Sequence, residues 1–455
     1  MVKGFVRLNK TYDLTTGTPW RVLLRYMLPM LLSMFFQQTY NLCDSWIAGN
    51  YIGEAALGAV GTCYPVTVCL IAISSGLSLG VSVLVSQSFG AKDEGRVTGA
   101  AYTALWAYIP LSLAVTAAGI ALAPQVVTAL SVPRELYEMT VIYLRIYVAG
   151  FIFQFLYNIF TAVLNGLGNS RTPLIILLAS CIVNIALDVI FVTVLRFGVA
   201  GLALATLLSQ AASCLMTALA ALSALRQFDA PAGAKAFDRD IMSELLRLGV
   251  PSMVQHLFMS FGQLAVQSVI NGYGMIVLAG YSAAFRLNGI YINSLMAVSN
   301  ALTGFIAQNR GAKKTGRIKT GLRSAVFVGY LFTGLVILLM LTKGDLILGS
   351  FLGDNDNKAA VVSAGMGFVS VVVPSYLIVC LKIMIDGYIR GMGEMRKYLA
   401  TALLDVAVRV SCGRLLSELW GLDGVWFLWP LAWILGLSLD IVFYFIVKRK
   451  FEKNI

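Results

Sequence analysis

Histidine is almost absent from this sequence of 455 residues, which contains a single one, His256. A His-Glu-x-x-His zinc site needs two histidines, so that class of metalloenzyme is excluded, and a serine hydrolase would have to be built around this one residue. The sequence also lacks the Gly-x-x-x-x-Gly-Lys-Ser/Thr loop that binds nucleotide phosphates. Without a P-loop to hydrolyse ATP, any uphill work that the chain performs requires an ion gradient or a partner.

Cysteine pairs are missing as well. The seven cysteines include no Cys-x-x-Cys pair, and all of them fall inside apolar stretches. They are Cys43, Cys63, Cys69, Cys181, Cys214, Cys380 and Cys412. Because buried free cysteine usually behaves as a small apolar side chain, we interpret these residues as packing residues rather than disulfides or metal ligands.

Charged residues make up only 12% of the chain and hydrophobic residues 58%, whereas about 25% of the residues of a soluble domain are charged. Apolar runs of more than about 18 residues recur, and each is long enough to cross a bilayer as a helix. Transmembrane β-strands would be shorter and would alternate. The sequence predicts an all-α polytopic membrane protein with twelve spans, at 26–48, 57–88, 98–122, 138–164, 172–194, 199–225, 249–271, 276–308, 322–343, 360–389, 397–416 and 424–447.

The positions of the basic residues predict the orientation of these spans. Lys and Arg accumulate in cytoplasmic loops, and most of the 34 basic residues fall in segments that are cytoplasmic if the N-terminus is inside. The first 25 residues are basic and polar and show no apolar core of a cleavable signal peptide. We therefore expect both termini in the cytoplasm and a multi-pass protein of the plasma (inner) membrane. The loop bias also explains the net charge of +12, so no nucleic-acid partner is expected.

An internal repeat divides the chain. The segment QSFGAKDEGR at 87–96 matches QNRGAKKTGR at 308–317, and NGLGNSR at 165–171 matches RGMGEMR at 390–396. Pro29 at the start of span 1 corresponds to Pro251 at the start of span 7. Since each half has an even number of spans, the halves share one orientation, as in transporters built from parallel repeats.

The repeat predicts the domain organisation. We expect a cytoplasmic N-terminal leader at 1–25, an N-lobe of spans 1–6 at 26–226, a cytoplasmic linker at 227–247, a C-lobe of spans 7–12 at 248–447 and a cytoplasmic tail at 448–455.

These features resemble the MATE (multidrug and toxic compound extrusion) family over essentially the whole chain. The resemblance rests on the six-plus-six layout, on Pro-x14-Asp from Pro29 to Asp44, on the paired Gly-Ala-Lys-x-x-Gly-Arg loops and on the Gly-x-Gly loops after spans 4 and 10. It implies two lobes in a V with a central cleft, and export of amphipathic, often cationic compounds in exchange for H⁺ or Na⁺. Within the family the chain looks most like the DinF-like branch, whose N-lobe acidic cluster it matches. The NorM-like branch carries an acidic residue in span 7, where this chain offers only Gln255 and His256, and this departure argues against a second cation site in the C-lobe.

The DinF-like resemblance implies one cation-coupling cluster in the N-lobe. Its residues match here at Asp44, Asn184, Asp188 and Thr206, which are also the metal ligands if the coupling ion is Na⁺. The residues themselves support this reading, because ionisable groups inside a span are costly and usually functional. Two carboxylates, an amide and a hydroxyl suit a small hard cation, and adjacent carboxylates otherwise force one of the pair to keep a proton. The alternative is that the two aspartates are hydrogen-bonded packing residues, or that Asp44 is solvated near the outer mouth.

Further polar and aromatic residues could line the site or a substrate cleft. Gln37 and Asn41 share a helix face with Asp44, and Gln37 and Asn158 could equally bind substrate or water. Tyr40, Phe36, Tyr157 and Met259 would suit a promiscuous apolar cleft, or simply pack against helices or lipid. His256 is read either as a proton relay or as a hydrogen-bonded packing residue.

The C-lobe is expected to lack a coupling cluster. In the repeat register Arg409 stands where Asn184 stands, Gly413 where Asp188 stands and Val266 where Asp44 stands. The intramembrane charges of the C-lobe come in pairs four residues apart, Lys382 with Asp386 and Asp405 with Arg409. We interpret both pairs as mutual neutralisers.

The sequence therefore favours a secondary active exporter that exchanges its substrate for H⁺ or Na⁺ by alternating access. A lipid-linked saccharide flippase of the same superfamily is an alternative, and an intramembrane enzyme is a weaker one, since no catalytic residues are evident. We expect small-molecule substrates and the lipid bilayer as partners, no cofactor other than the coupling ion, and function as a monomer.

The orientation is tested by labelling single added cysteines with a thiol reagent that does not cross the membrane. Cysteine at Lys313 should react only when the cytoplasmic side is accessible, and cysteine at Lys358 should react in intact cells. The parent protein with its seven native cysteines provides the background. Labelling of the Lys313 position from outside sealed cells would reverse the topology.

Overall fold

The computed structural model describes residues 11–228, 237–350 and 357–453, and within these ranges the regular structure is helical, with no strand. Short π-helical turns, Ala48–Ile52 and Ile190–Val194, extend α1 and α5, and a 3₁₀ turn, Val373–Ser375, joins α10 to α11. The helices are α1 Pro19–Ile47, α2 Glu54–Gly90, α3 Glu94–Ala129, α4 Arg134–Gly166, α5 Arg171–Val189, α6 Gly198–Leu225, α7 Arg239–Asn271, α8 Met275–Gly311, α9 Thr315–Ser350, α10 Lys358–Val372, α11 Tyr376–Gly391 and α12 Met395–Lys453.

Twelve long helical segments are present in the described chain. Helices α10 and α11 together form span 10, and the 59-residue α12 contains spans 11 and 12. The chain reverses inside α12 at Gly421, whose φ of 59° and ψ of −139° are not helical. Close packing at the reversal requires a second glycine, because a Cβ at Gly424 would lie 2.0 Å from the carbonyl oxygen of Leu416. The prediction of an all-α membrane protein with twelve helices is confirmed.

The helices differ in whether their length and apolar composition suit them to cross a bilayer. By length and composition, nine stretches of the described residues could cross a bilayer, with α12 counted whole and α10 joined to α11. Helices α1 and α7 are not among these stretches although they contain 29 and 33 residues. Both are less apolar than the other span helices, because polar side chains interrupt their sequences.

Helices α1 and α7 begin earlier than the sequence predicted. Helix α1 starts at Pro19, inside the predicted leader, and α7 starts at Arg239, inside the predicted linker. Asp238 stabilises the start of α7, since its Oδ1 accepts hydrogen bonds from the backbone N–H groups of Asp240 at 2.8 Å and Ile241 at 3.1 Å. Hydropathy detects only the apolar part of such a helix and misses the capped polar turns in front of it. Parts of the predicted leader, linker and tail, at 1–10, 229–236 and 454–455, lie outside the described residues.

The described chain forms two compact units. Among the described residues, unit 1 contains 11–15, 25–228 and 237–253, and unit 2 contains 16–24, 254–350 and 357–453. The division falls within α1 and α7 rather than between helices. The first residues of α1 therefore belong to unit 2, and the first half of α7 belongs to unit 1.

The internal repeat is visible in the backbone. Lys92 and Lys313 occupy the same position of the repeated loop and both adopt a left-handed conformation, with φ of 59° and 57°. Non-glycine residues rarely do so. Matching glycines with positive φ recur at 53 and 274, at 168 and 393, and at 198 and 421. The two halves therefore share helix ends as well as helix order.

The repeated loops hold the beginning of the first helix of the opposite half. Arg96 forms an ion pair with Glu244 in the first turns of α7, inside unit 1. Its repeat counterpart Arg317 donates to the carbonyl oxygen of Thr16 at 2.9 Å and to Oδ1 of Asn309 at 3.0 Å, inside unit 2. In both copies, the arginine that ends the Gly-Ala-Lys-x-x-Gly-Arg loop thus binds the chain at the start of the first helix of the opposite half.

Close crossing of α8 and α11 predicts a stability effect at Gly387. A Cβ there would lie 2.6 Å from Oγ and 2.9 Å from the carbonyl oxygen of Ser299. We expect Gly387→Ala to destabilise the protein by about 1–3 kcal/mol, the usual cost of overpacking, measured as a lower Tm in detergent. Gly334→Ala is the control, because a Cβ at Gly334 meets no described atom within 4 Å. Equal Tm values for the two variants would contradict the close crossing.

Candidate cation site

The predicted N-lobe residues come together within unit 1. Asn184 and Asp188 lie one turn apart on α5 and are 1% and 0% exposed, Thr206 on α6 is 7% exposed, and Asp44 on α1 is partly buried. The regular helix ends shortly after each aspartate, where the π-helical turns Ala48–Ile52 and Ile190–Val194 begin and contact each other. Turns of this kind are frequent at functional sites.

Asn184 connects the two carboxyl groups. With its amide nitrogen facing them, it donates to Oδ1 of Asp44 and to Oδ2 of Asp188, each at 3.1 Å. The carboxyl groups of Asp44 and Asp188 are also close enough to interact with each other. Two carboxylates this close in a low-dielectric interior repel strongly unless a proton or a cation lies between them.

The cluster has spare acceptor capacity. Oδ1 of Asp188 is buried and has no hydrogen-bond partner among the described residues. Thr206 donates its hydroxyl hydrogen to the carbonyl oxygen of Leu202 at 3.1 Å, so its oxygen can still accept. A buried acceptor without a donor is costly, and a small cation or a proton is the natural partner for it.

Tyrosines complete the surroundings of Asp44. The Tyr40 hydroxyl lies close enough to the Asp44 carboxylate and to Thr206 to interact with both. Tyr143 and Tyr147 on α4 stack with their ring centres 6.0 Å apart and lie close enough to Asp44 to interact electrostatically. Sequence reasoning missed Tyr143 and Tyr147, although two tyrosines four residues apart in span 4 mark one face of a helix.

The other predicted neighbours are placed less closely around the carboxylates. Asn158 donates to Oγ of Ser74 at 3.1 Å instead of to an aspartate, and Gln37 is exposed. Phe36 packs edge-on against Phe35 with ring centres 6.0 Å apart. The side chain of Asn41 lies outside what the structure describes.

Tyr157, His256 and Met259 are half-buried or exposed. Tyr157 is half-buried on α4, and His256 is half-buried on α7. Met259, at 37% exposed, contacts the amide of Gln255 through its sulfur. Their predicted role in binding a substrate stays a prediction.

Unit 2 contains a second group of buried charges. Lys382 Nζ lies 3.0 Å from Oδ2 of Asp386, and Arg409 Nε lies 2.8 Å from Oδ2 of Asp405. Both pairs join the partners that the sequence indicated. The structure adds Asp440, which is 0% exposed and has Oδ2 3.6 Å from Lys382 Nζ. Sequence reasoning missed it, although an aspartate inside span 12 is itself a signal.

The chain matches the model of a known protein family in both of its halves. The family model MatE matches the chain twice, at residues 29–190 and 251–413, and together these matches cover more than half of it. The chain belongs to the MatE family. Each matched region lies inside one of the two halves that the internal repeat defined, so this MATE protein carries one family match in each half.

Curated relatives of the MATE protein are named for drug resistance and export. It is 27% identical to "Probable multidrug resistance protein YoeA" of Bacillus subtilis (strain 168), with 95% of each chain covered. It is 22% identical to "Multidrug export protein MepA" of Staphylococcus aureus (strain MSSA476), with 97% of each chain covered. The MATE protein is thus a multi-pass membrane protein from a family of multidrug efflux transporters.

Solved structures share its fold. A MATE transporter in the straight conformation superposes with a TM-score of 0.89 at 23% identity, covering 98% of this chain and 99% of that one. A MOP superfamily transporter from Pyrococcus furiosus gives a TM-score of 0.85 at 21% identity, covering 97% and 98%. At these identities the likeness shows the fold alone.

The bridging role of Asn184 can be tested by a double-mutant cycle. Asn184→Leu removes the donor to both buried carboxyl groups, so we expect a loss of about 1–3 kcal/mol, seen as a lower Tm. In a background of Asp44→Asn with Asp188→Asn the same substitution should cost much less, because the acceptors are gone. An equal loss in both backgrounds would show that Asn184 acts elsewhere.

Proposed function

We propose that the protein is a secondary active exporter of amphipathic, often cationic compounds, driven by antiport of H⁺ or Na⁺. Asp44, Asn184, Asp188 and Thr206 form the coupling site in unit 1. Export of this kind agrees with the names of the curated relatives. It also agrees with the chemistry of the buried cluster, which can change its charge.

One observation carries the proposal. Asp188 is fully buried and leaves Oδ1 without a donor among the described residues, while the carboxyl group of Asp44 lies beside it. A purely structural aspartate would be expected to have its acceptors satisfied. The unsatisfied oxygen and the second carboxyl group together make a place for one small positive charge.

Asn184 can serve either coupling ion. When its amide nitrogen faces the carboxyl groups, it donates to both and favours their negative charge, so a proton competes with these hydrogen bonds. When its carbonyl oxygen faces them, the site offers carboxylate, amide and hydroxyl oxygens, which are the ligands that Na⁺ accepts as a hard cation. Rotation of one amide therefore adapts the same residues to H⁺ or to Na⁺.

Ion occupancy can be transmitted to the helices that carry the cluster. Binding of one positive charge removes the repulsion between Asp44 on α1 and Asp188 on α5. The π-helical turns that follow them, Ala48–Ile52 and Ile190–Val194, contact each other, so a change in the carboxyl distance also shifts this contact. A ligand shifts a conformational equilibrium only by its differential affinity, and an ion that bridges the carboxyl groups favours the arrangement in which α1 and α5 are close.

The lipid-linked saccharide flippase receives less support. Recognition of a pyrophosphate needs cations that are free to bind it. Of the basic residues inside the predicted spans, Lys382 and Arg409 are occupied by aspartates at 3.0 Å and 2.8 Å, and Arg414 is paired with Glu418 at 3.0 Å. The exporter is therefore the proposed function, with cytoplasmic termini, residence in the plasma membrane and action as a monomer as parts of the same proposal.

Transport in proteoliposomes tests the coupling site. Asp44→Asn should reduce ion-driven export to near the rate of liposomes without protein, since an amide cannot carry the charge that the ion neutralises. Separate Na⁺ and pH gradients identify the coupling ion in the parent protein. Asp345→Asn, at an exposed position on α9, is the matched control and should leave export unchanged. Ion dependence that persists unchanged in Asp44→Asn would remove the coupling site from unit 1.

A further inference from the structure

Three buried side chains of unit 2, two of them carboxyl groups and one a cation, lie close together. The ammonium group of Lys382 on α11 lies 3.0 Å from Oδ2 of Asp386, on the same helix. It also lies 3.6 Å from Oδ2 of Asp440 on α12. We call these three residues the Lys382 triad. Lys382, Asp386 and Asp440 are 8%, 6% and 0% exposed, so solvent does little to screen the imbalance.

The neighbouring ion pair does not correct this imbalance. Arg409 is engaged with Asp405 through contacts of 2.8 Å and 3.4 Å, and its guanidinium carbon lies 4.0 Å from the ring centre of Trp429. Asp405 is near enough to act on Lys382 electrostatically, which adds negative rather than positive potential. The five side chains of the triad and this ion pair are three carboxyl groups and two cations.

A third buried cation, Arg390, lies one helical turn after Asp386, but its guanidinium group donates to Asn300 at 2.9 Å and to Ser299 at 2.6 Å and lies 5.2 Å from the ring centre of Tyr398. Among the described residues, Arg390 therefore forms no ion pair with the three carboxyl groups.

Asp440 is the member with the fewest hydrogen bonds. Neither of its carboxyl oxygens accepts a hydrogen bond that meets ordinary geometry from the described residues. Thr401 and Tyr398 on α12 and Asp386 on α11 lie beside it and interact with it electrostatically or at longer range. An ionised carboxylate that is fully buried with neither a close hydrogen bond nor its own cation would cost several kcal/mol, whereas a protonated carboxyl group costs far less.

A glycine keeps the ammonium group in place. A Cβ at Gly436, one helical turn before Asp440, would lie 2.6 Å from Cε of Lys382. The lysine side chain therefore runs along α12 in the space left by the missing side chain and reaches both carboxyl groups. This arrangement is built by residues from two helices of unit 2 and has no carboxylate at the positions that correspond to Asp44 and Asp188.

We propose that the Lys382 triad is a second proton-binding site, in which one proton is shared between Asp386 and Asp440 while Lys382 neutralises the other carboxylate. Binding places the proton on a carboxyl oxygen, and release leaves both carboxylates facing the one ammonium group. The site takes a proton and no larger ligand, because its members are already in contact. This inference does not rest on the proposed function, since the charge imbalance exists whether or not unit 1 couples transport to an ion.

The C=O stretch of protonated carboxyl groups provides a direct test by infrared spectroscopy. Purified full-length protein carrying Asp44→Asn and Asp188→Asn removes the unit 1 carboxyl groups, so failure of the exporter proposal cannot affect the result. At neutral pH this protein should show a band of one buried protonated carboxyl group. Asp440→Asn should abolish the band, and Asp386→Asn should abolish it too, because Lys382 then pairs with the remaining carboxylate.

Lys382→Met gives the opposite prediction. Removing the cation leaves two buried carboxyl groups without a counter-charge, so both should hold a proton and the band should grow about twofold. Asp423→Asn, at an exposed position of α12, is the control and should leave the band unchanged. A fully ionised structural network would show no band in the Asp44→Asn, Asp188→Asn parent, and that result would overturn the proposal. A band that neither Asp440→Asn nor Lys382→Met changes would overturn it too.

Discussion

Placing carboxyl groups in an interior that water cannot screen is the constraint on which the arrangement of this protein depends. Ionised side chains inside a membrane-spanning bundle are stable only when an opposite charge, a proton or strong donors accompany them. Unit 1 brings Asp44 and Asp188 together with one amide and no basic side chain in the contacts described above. Unit 2 surrounds its aspartates with Lys382 and Arg409. Under the proposed function, unit 1 would meet this requirement with an exchangeable charge, whereas unit 2 meets it largely with the fixed charges of its basic side chains.

The internal repeat shows how two units with the same backbone can differ in this respect. Left-handed residues recur at matching positions, including Lys92 and Lys313, and the loop arginines Arg96 and Arg317 hold equivalent helix starts. These features set helix ends and crossing geometry. The side chains that face the interior are free to diverge, and Gly413 in place of Asp188 is packed against apolar side chains of Leu428 and Val269. Backbone symmetry and chemical asymmetry are thus compatible within one chain.

Much of this organisation could be predicted from the sequence because it depends on local signals. Apolar runs revealed the spans, the motif offset revealed the two halves, and spacing along α5 placed Asn184 and Asp188 on one face. The extra polar turns of α1 and α7 were missed, since they are stabilised by a cap such as Asp238 and by packing rather than by apolar composition. Tyr147 and Asp440 were missed for another reason. Their proximity to Asp44 and Lys382 joins helices far apart in sequence, and no periodicity within one helix reports such a contact.

If both proposals hold, the charges predict that the two clusters would respond differently to the same ion gradient. The unit 1 cluster has two carboxyl groups and no cation, so binding one positive charge halves its formal charge and removes a repulsion that acts between α1 and α5. In the Lys382 triad a proton changes the net charge by the same amount, but the ammonium group stays within reach of both carboxyl groups before and after. The force between α11 and α12 therefore changes less than the force between α1 and α5. Unit 1 is better suited to convert ion binding into helix movement, and the triad is better suited to adjust the charge of unit 2 without moving its helices.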